Sequence, residues 1–442
     1  MAMNKDMKNL AEWTIKTAKS LGADDCGVSI NQNRTVEISY RKQKPENIKE
    51  ASTRNLGVDL YVDGRYSSQS TSDLRKDALK EFLGSAIGTT KWLAEDPYRT
   101  LPEPKYYQGR ADKDLAQVDP AYPKFSPEKR HELAQAVEKA CLEAGGEKTI
   151  SVTAEEQDVH SQSLMMTSNG FEGFSEATVY VAGASMTAQG EGDRRPNGYH
   201  YIVTMAQKDL PSPKKIGAEA AQRTLSLLGA KKLKTETLPI IIENRSVPRI
   251  FGGFMTAMFG RSIQQKQSFL SDKKGKKIGS DLFTLVDDPF IKKGLGSRLF
   301  DGDGFAAKKR TMIEAGVLKD FYIDWYYSRK LDMEPTTGSP SNLVVPPGKR
   351  SVKEIMKDLD RGIFITGFIG GNSNPTTGDA SIGIVGHLFD GGDIIHPVTE
   401  MNIASNHLEF WNKLIEAAND PWIYSQQRFP SLVFEDIVVA GV

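Results

Sequence analysis

One order of elements occurs twice in the first 230 residues: a helix, strands, an Xaa-Gly hairpin turn and a second helix. In the first pass Met7, Leu10, Ala11, Thr14, Ala18 and Leu21 recur at helical spacing, and Gly22 stops the run. Short strands are expected at 26–30 and 36–41. A hairpin follows, with strands 57–62 and 65–71 joined by Asp63-Gly64, a pair whose residues both tolerate positive φ. Ser72 or Asp73 is expected to cap a helix that buries Leu74, Ala78, Phe82, Ala86 and Trp92. In the second pass Ser126-Pro127 opens a helix carrying Leu133, Val137, Cys141 and Ala144, which Gly145-Gly146 ends. Strands at 149–154 and 163–167, the turn Asn169-Gly170, strands 171–181 and 199–205, and a helix near 216–228 complete it. The shared order reads as an internal duplication whose halves have little residue identity.

Between the passes, residues 94–127 hold six of the chain's 21 prolines, the composition of a linker or of a long ordered crossover. From Leu238 the texture changes. A buried strand at 238–242 and a helix at 247–258 lead into strand- and turn-rich sequence, with strands at 281–286, 362–369 and 380–388. A late helix at 406–418 and a closing strand at 432–439 follow. The expected fold is α+β. An N-terminal region, 1–235, holds two helix-plus-sheet units at about 1–95 and 126–235, joined by a Pro-rich connection at 96–125. A β-rich C-terminal domain, 236–442, follows.

Composition narrows the function classes. With 39% hydrophobic and 26% charged residues, the chain has the material for a packed core. Lys+Arg and Asp+Glu are both 57, so no basic excess supports nucleic-acid binding. Two isolated cysteines, Cys26 and Cys141, exclude a disulfide scaffold and a cysteine-rich zinc site. No apolar run approaches a membrane span and no secretory h-region appears, so a cytoplasmic protein is expected.

Catalytic motifs are scarce. His131-Glu132 begins like a zinc-binding helix motif, but position 135 is Gln where a second imidazole is needed. His387 and His396 could meet across a hairpin, without an acidic or Cys ligand beside them. Gly294-Leu-Gly296 and the glycines at 367, 370 and 371 do not complete a dinucleotide fingerprint. No nucleophile elbow occurs. Asp301-Gly302-Asp303-Gly304 reads as an acidic turn, and the lysines at 273–277 as an exposed loop. No catalytic residue and no metal ligand is expected from these patterns.

The C-terminal half does carry a resemblance. Gly294-Leu-Gly-Ser-Arg-Leu-Phe-Asp-Gly-Asp-Gly304 resembles the GS…FDdEG signature of the TldD/PmbA family, and Met312-Ile-Glu-Ala-Gly-Val317 follows at the usual distance. Thr336-Thr-Gly338, Ser341-Asn-Leu-Val-Val-Pro-Pro-Gly348, Gly370-Gly-Asn-Ser-Asn-Pro-Thr-Thr-Gly-Asp379 and the ending from Pro430 to Gly441 keep the family's order. The resemblance implies a cytoplasmic protein of a group historically called modulators of DNA gyrase. Its TldD-type members look like zinc peptidases that carry H-E-x-x-x-H and a late Cys, and that cleave unfolded or extended peptides. The PmbA (TldE) type lacks these ligands and pairs with a TldD-type subunit. Here 247–260 contains neither His nor Glu, and no Cys follows Cys141. The chain is therefore identified as similar to PmbA/TldE: without its own cofactor, with zinc expected in a TldD-type partner, and acting with that partner or as a homodimer on an extended peptide. Asn342, Gly370, Gly371 and Asn374 are the candidate substrate-binding residues. A self-sufficient peptidase with an unrecognised site, or a macromolecule-binding modulator, is the alternative.

Overall fold

The computed structural model describes residues 5–442. The first run is α1 (Lys5–Ser20), β1 (Asp25–Arg41), β2 (Lys44–Val62), β3 (Arg65–Thr71) and α2 (Lys76–Thr90). The second is α3 (Pro127–Gly145), β4 (Thr149–Thr167), β5 (Glu172–Ala188), β6 (Asn197–Thr204) and α4 (Pro213–Leu225). Their strands form one antiparallel sheet in the order β3-β2-β1-β4-β5-β6, joined where β1 pairs with β4. The parity of the strands sorts its two faces. Leu56, Ile30, Leu164 and Phe174 stand opposite one another in a row packed under the helices. The adjacent row, Asn55, Asn31, Ser163 and Ser175, lies on the other face, where Ser163 Oγ donates to Asn31 Oδ1 at 2.8 Å.

Strands β1 and β4 are each continuous where two short strands were expected. Residues 31–35, Asn-Gln-Asn-Arg-Thr, look like a break by propensity. In the sheet they are flanked by β2 and β4, so both backbone edges are hydrogen-bonded and tertiary pairing overrides propensity. The Asp63-Gly64 turn forms as expected, with φ of 50° and 71°. The cap of α2 does not: Arg75 is the N-cap, without a side-chain bond, and Asp73 instead accepts from the Arg75 backbone N–H at 3.1 Å. Trp92 lies beyond the end of α2 and is 91% exposed rather than buried. The Pro-rich stretch is an ordered crossover fastened to the later half of the chain. Tyr326 OH donates to Asp96 Oδ2 at 2.7 Å, Trp325 Nε1 donates to Thr100 Oγ1 at 3.0 Å, and Gln117 Nε2 donates to the Ser297 carbonyl at 2.7 Å.

The remainder is β-rich. β7 (Glu236–Ile242), α5 (Val247–Ala257) and α6 (Gly260–Gln264) come first. β8 (Leu285–Asp287), β9 (Arg310–Glu314), β10 (Val317–Leu318), α7 (Trp325–Leu331), β11 (Leu343–Val344) and α8 (Val352–Leu359) follow. Last come β12 (Arg361–Ser373), β13 (Asp379–Asp390), β14 (Asp393–Asn406), α9 (His407–Asn412), β15 (Leu414–Ala417), β16 (Gln427–Arg428) and β17 (Leu432–Ala440). The order β14-β13-β12-β7-β17 closes into a ring because β14 also pairs with β17 at Asn402↔Ala440 and Ile403↔Val439. Closure removes the strand edges it joins. The expected late helix at 406–418 is shorter. It ends at Asn412, and Leu414–Ala417 becomes β15, captured by β17. An aromatic core of Phe251, Phe254, Phe283, Trp411 and Phe429 anchors α5. Phe283 and Trp411 stack there with centroids 4.3 Å apart.

Candidate functional site

The ring leaves one edge open. β12 pairs with β13 along its length but meets β7 only from Ile363↔Ile240 to Ile365↔Ile242. After Ile242 the chain leaves the sheet and turns into α5. Among the described residues, therefore, no strand pairs with 366–373 on that side. The end of this edge is built from Gly370 and Gly371, with φ of 59° and 86°. A Cβ on Gly371 would lie 2.6 Å from the Ser381 carbonyl, so β13 can run this close only past a glycine.

Helix α5 lies beside the open edge. Val247, Ile250, Phe251, Phe254, Met255 and Ala257 point into the core. The other face carries Arg249, Gly252, Gly253 and Thr256. The Arg249 guanidinium donates to the Gly370 carbonyl at 3.0 Å. Gly253 leaves room for Ser373, whose Oγ lies 2.9 Å from His407 Nε2. Burial pushes the His407 imidazole down to about 4, so it is neutral at physiological pH.

Between β6 of the first sheet and the open part of β12 lies a cleft of about 510 Å³. Arg223, Arg245 and Arg249 line it with Tyr199, Phe368 and Trp422, and among the described residues no Asp or Glu does. The counter-charge sits behind the wall. Buried Glu243 accepts a two-pronged pair of bonds from Arg223 at 2.7 and 2.8 Å and another from Arg245 at 2.9 Å. Burial raises the Glu243 carboxyl, and Arg223 opposes that shift. Arg245 also stacks over Trp422, 4.8 Å from the ring centroid. Burial, then the charges of Arg223 and Lys215, push His200 down to about 4.

Sequence models of three PmbA/TldA metallopeptidase domains match the chain: domain 1 at 26–88, the central domain at 120–228 and the C-terminal domain at 235–441. The chain belongs to the PmbA/TldD family. The metalloprotease PmbA of Escherichia coli is 28% identical over 98% of this chain and 97% of that one. A Bacteroides thetaiotaomicron protein, described as a candidate modulator of DNA gyrase, is 35% identical over the full length of both chains, with a TM-score of 0.97. TldE from Thermococcus kodakarensis superposes with a TM-score of 0.87 over 98% of this chain and 100% of that one. At 21% identity that is a likeness of fold.

PmbA/TldD proteins are named as metallopeptidases, but the residues present here do not fit a metal. The open face of α5 offers a guanidinium, two glycines and a hydroxyl. The nearest imidazole, His407, is buried and tied to Ser373. Among the described residues, no group of three or more His, Cys, Asp or Glu is placed to hold an ion. His387 and His396 lie on paired strands but out of register: His387 faces Pro397, and His396 faces Leu388. Opposite residues share a sheet face, so the two imidazoles project to different sides. His387 Nε2 is 3.1 Å from the Ser226 carbonyl, and His131 Nδ1 is 3.1 Å from Tyr40 OH.

Of the four residues expected to meet substrate, the structure groups three. Gly370, Gly371 and Asn374 lie together at the end of β12. Asn374 borders a second cleft of about 820 Å³, although its Oδ1 is taken by the Thr376 N–H at 2.9 Å. Asn342 requires correction. It is fully buried, accepting from the Gly296 N–H at 2.9 Å and donating to the Asp288 carbonyl and Ser297 Oγ, both at 2.8 Å. It locks the 288–297 turn and offers no atom to a peptide. The arginines of the cleft were missed. The signal available was Arg245 and Arg249, four residues apart at the start of the helix that follows a buried strand.

Proposed function

We propose that this chain is the PmbA/TldE-type subunit of a cytoplasmic TldD-type zinc peptidase, and that it holds extended peptide without cleaving it. The observation that carries this reading is the open face of α5. It bears no ligand set, yet it flanks an unpaired strand edge at 366–373. An extended peptide can add to such an edge through main-chain hydrogen bonds, which suits unfolded substrates of varied sequence. The zinc then belongs to the partner subunit, and this chain completes the peptide's binding surface.

The test is zinc content by elemental analysis with a peptidase assay on an unfolded peptide, for the chain alone and mixed with a TldD-type subunit. The expected result is no stoichiometric zinc and no cleavage alone, with cleavage in the mixture above that of the TldD-type subunit by itself. Stoichiometric zinc and cleavage by the isolated chain would overturn the reading.

A further inference from the structure

We propose that the cleft between β6 and β12 binds a carboxylate carried by an extended peptide, and that Arg249 receives it. This rests on the reading of β12 as a peptide-binding edge and adds a chemical preference to it.

The first ground is the composition of the wall. Three guanidinium groups line the cleft with no acidic side chain among the described lining residues; the carboxylates that offset Arg223 and Arg245 lie behind the wall, so a ligand entering the cleft meets donors and no competing acid. The second is how the three are used. Arg223 and Arg245 are committed to Glu243; Arg245 also reaches Glu219 at 3.3 Å, and Arg223 the Thr366 carbonyl at the start of the open edge at 3.3 Å. They clamp α4 to the segment after β7. Arg249 has no carboxylate partner among the described residues, and its guanidinium donates to the Gly370 carbonyl. A guanidinium carries five N–H donors in a planar fork suited to a carboxylate, so donors remain.

The third ground is position. The carbonyl that Arg249 touches belongs to the open edge itself. A peptide strand added to 366–370 would run about 4.8 Å from β12, within reach of a side chain already bonded there. Phe368, Trp422 and the 65% exposed Tyr199 supply apolar surface beside it for a peptide's side chains. Burial holds the His200 imidazole below its ordinary value, so it adds no positive charge to the cleft at neutral pH.

The test uses the full chain and four labelled peptides of one unstructured sequence, followed by fluorescence anisotropy. One has a free C-terminal carboxylate and no acidic side chain. A second is its C-terminal amide. A third is amidated and carries one internal Glu, and a fourth has Gln in its place. Either carboxylate source, the terminus or the Glu, is expected to bind about tenfold more tightly than its neutral counterpart. The arm that shows the preference identifies the source. Arg249→Gln is expected to erase the preference while leaving the neutral peptides' affinity in place, and Arg249→Lys to retain part of it. Arg249 is exposed, and unchanged thermal melting of both variants establishes that they fold. Equal binding of all four peptides by the wild-type chain, or a preference that survives Arg249→Gln, would overturn the carboxylate site alone. Failure of every peptide to bind would overturn the strand-edge reading together with it.

Discussion

The two α-β-β-β-α runs share one topology and one sheet, yet they fill the space beneath their helices with different chemistry. The first is an aliphatic core: Val28, Ile30, Leu56, Val58, Leu60, Leu79 and Leu83 are all buried. Among its described residues no carboxylate is buried. The second is lined by small residues, Ala154, Ala182, Ala184, Ala188, Ala220 and Ala221, and it buries charge as well. Arg130 forms a two-pronged pair with Asp158, and Glu156 lies beside them without a hydrogen-bond partner among the described residues. The small side chains let α3 and α4 approach closely. A Cβ on Gly217 would collide with the Val137 carbonyl and lie 2.7 Å from the Cys141 nitrogen. Gly84 of α2, in the matching closing helix of the first run, has nothing within 4 Å. One topology thus accommodates a core of volume and a core of close contacts, and only the second is exposed to charge and pH.

Five substitutions, grouped in four tests, probe that contrast. The largest effect is expected from Arg130→Ala, which strands Asp158 and Glu156 in the interior. It should cost about 3–5 kcal/mol in chemical denaturation. The exposed pair of the first run, Arg34 with Glu50 at 2.8 Å, should lose no more than about 1 kcal/mol on Glu50→Ala, which leaves the bond from Arg34 to Tyr122 OH in place. Next is Gly217→Ala, expected to cost about 1–3 kcal/mol because α4 must move off the α3 backbone. A neutral result would mean that the helices are less tightly joined than their geometry indicates.

The third test is pH. Burial, and then the charge of Asp158, push the Glu156 carboxyl from 4.5 up to about 8. Below about 4.5 both folded and unfolded chains hold the proton. Between there and about 8 only the unfolded chain releases it, so stability falls as pH rises through that window. Glu156→Gln should remove a slope approaching about 1.4 kcal/mol per pH unit, read as midpoints of urea unfolding at several pH values. The same series on a variant of the first run should leave the slope in place. The smallest effect, and of opposite sign, is expected from Gly84→Ala. It should stabilise by about 0.5–1 kcal/mol, since the added methyl meets no neighbour and helix propensity improves.

Much of this architecture was legible in local signals. The period of α1, the Asp63-Gly64 turn, the Ser126-Pro127 start of α3 and the opening of α5 all depend on residues within a few positions of one another. Ser126 does accept from the Lys129 N–H. What failed was read across polar stretches or from isolated residues. The segment 31–35 became mid-strand because neighbours on both sides satisfied its backbone. Trp92 fell outside the core because α2 stopped before it. Asn342 had the chemistry of a ligand-binding amide, but a turn some 50 residues earlier in the chain uses all of it.

The sequence by itself determined the α+β class, the twice-repeated order, the family and the lack of metal donors on α5, because these reside in residue identity and short spacing. Only the tertiary structure decided that β1 joins β4 into one sheet, that β7 leaves β12 with an open edge, and that three arginines face one cleft across it. Those facts depend on pairings between distant segments, whose free energy comes from burial and hydrogen bonding in the assembled fold and leaves no local mark in the chain.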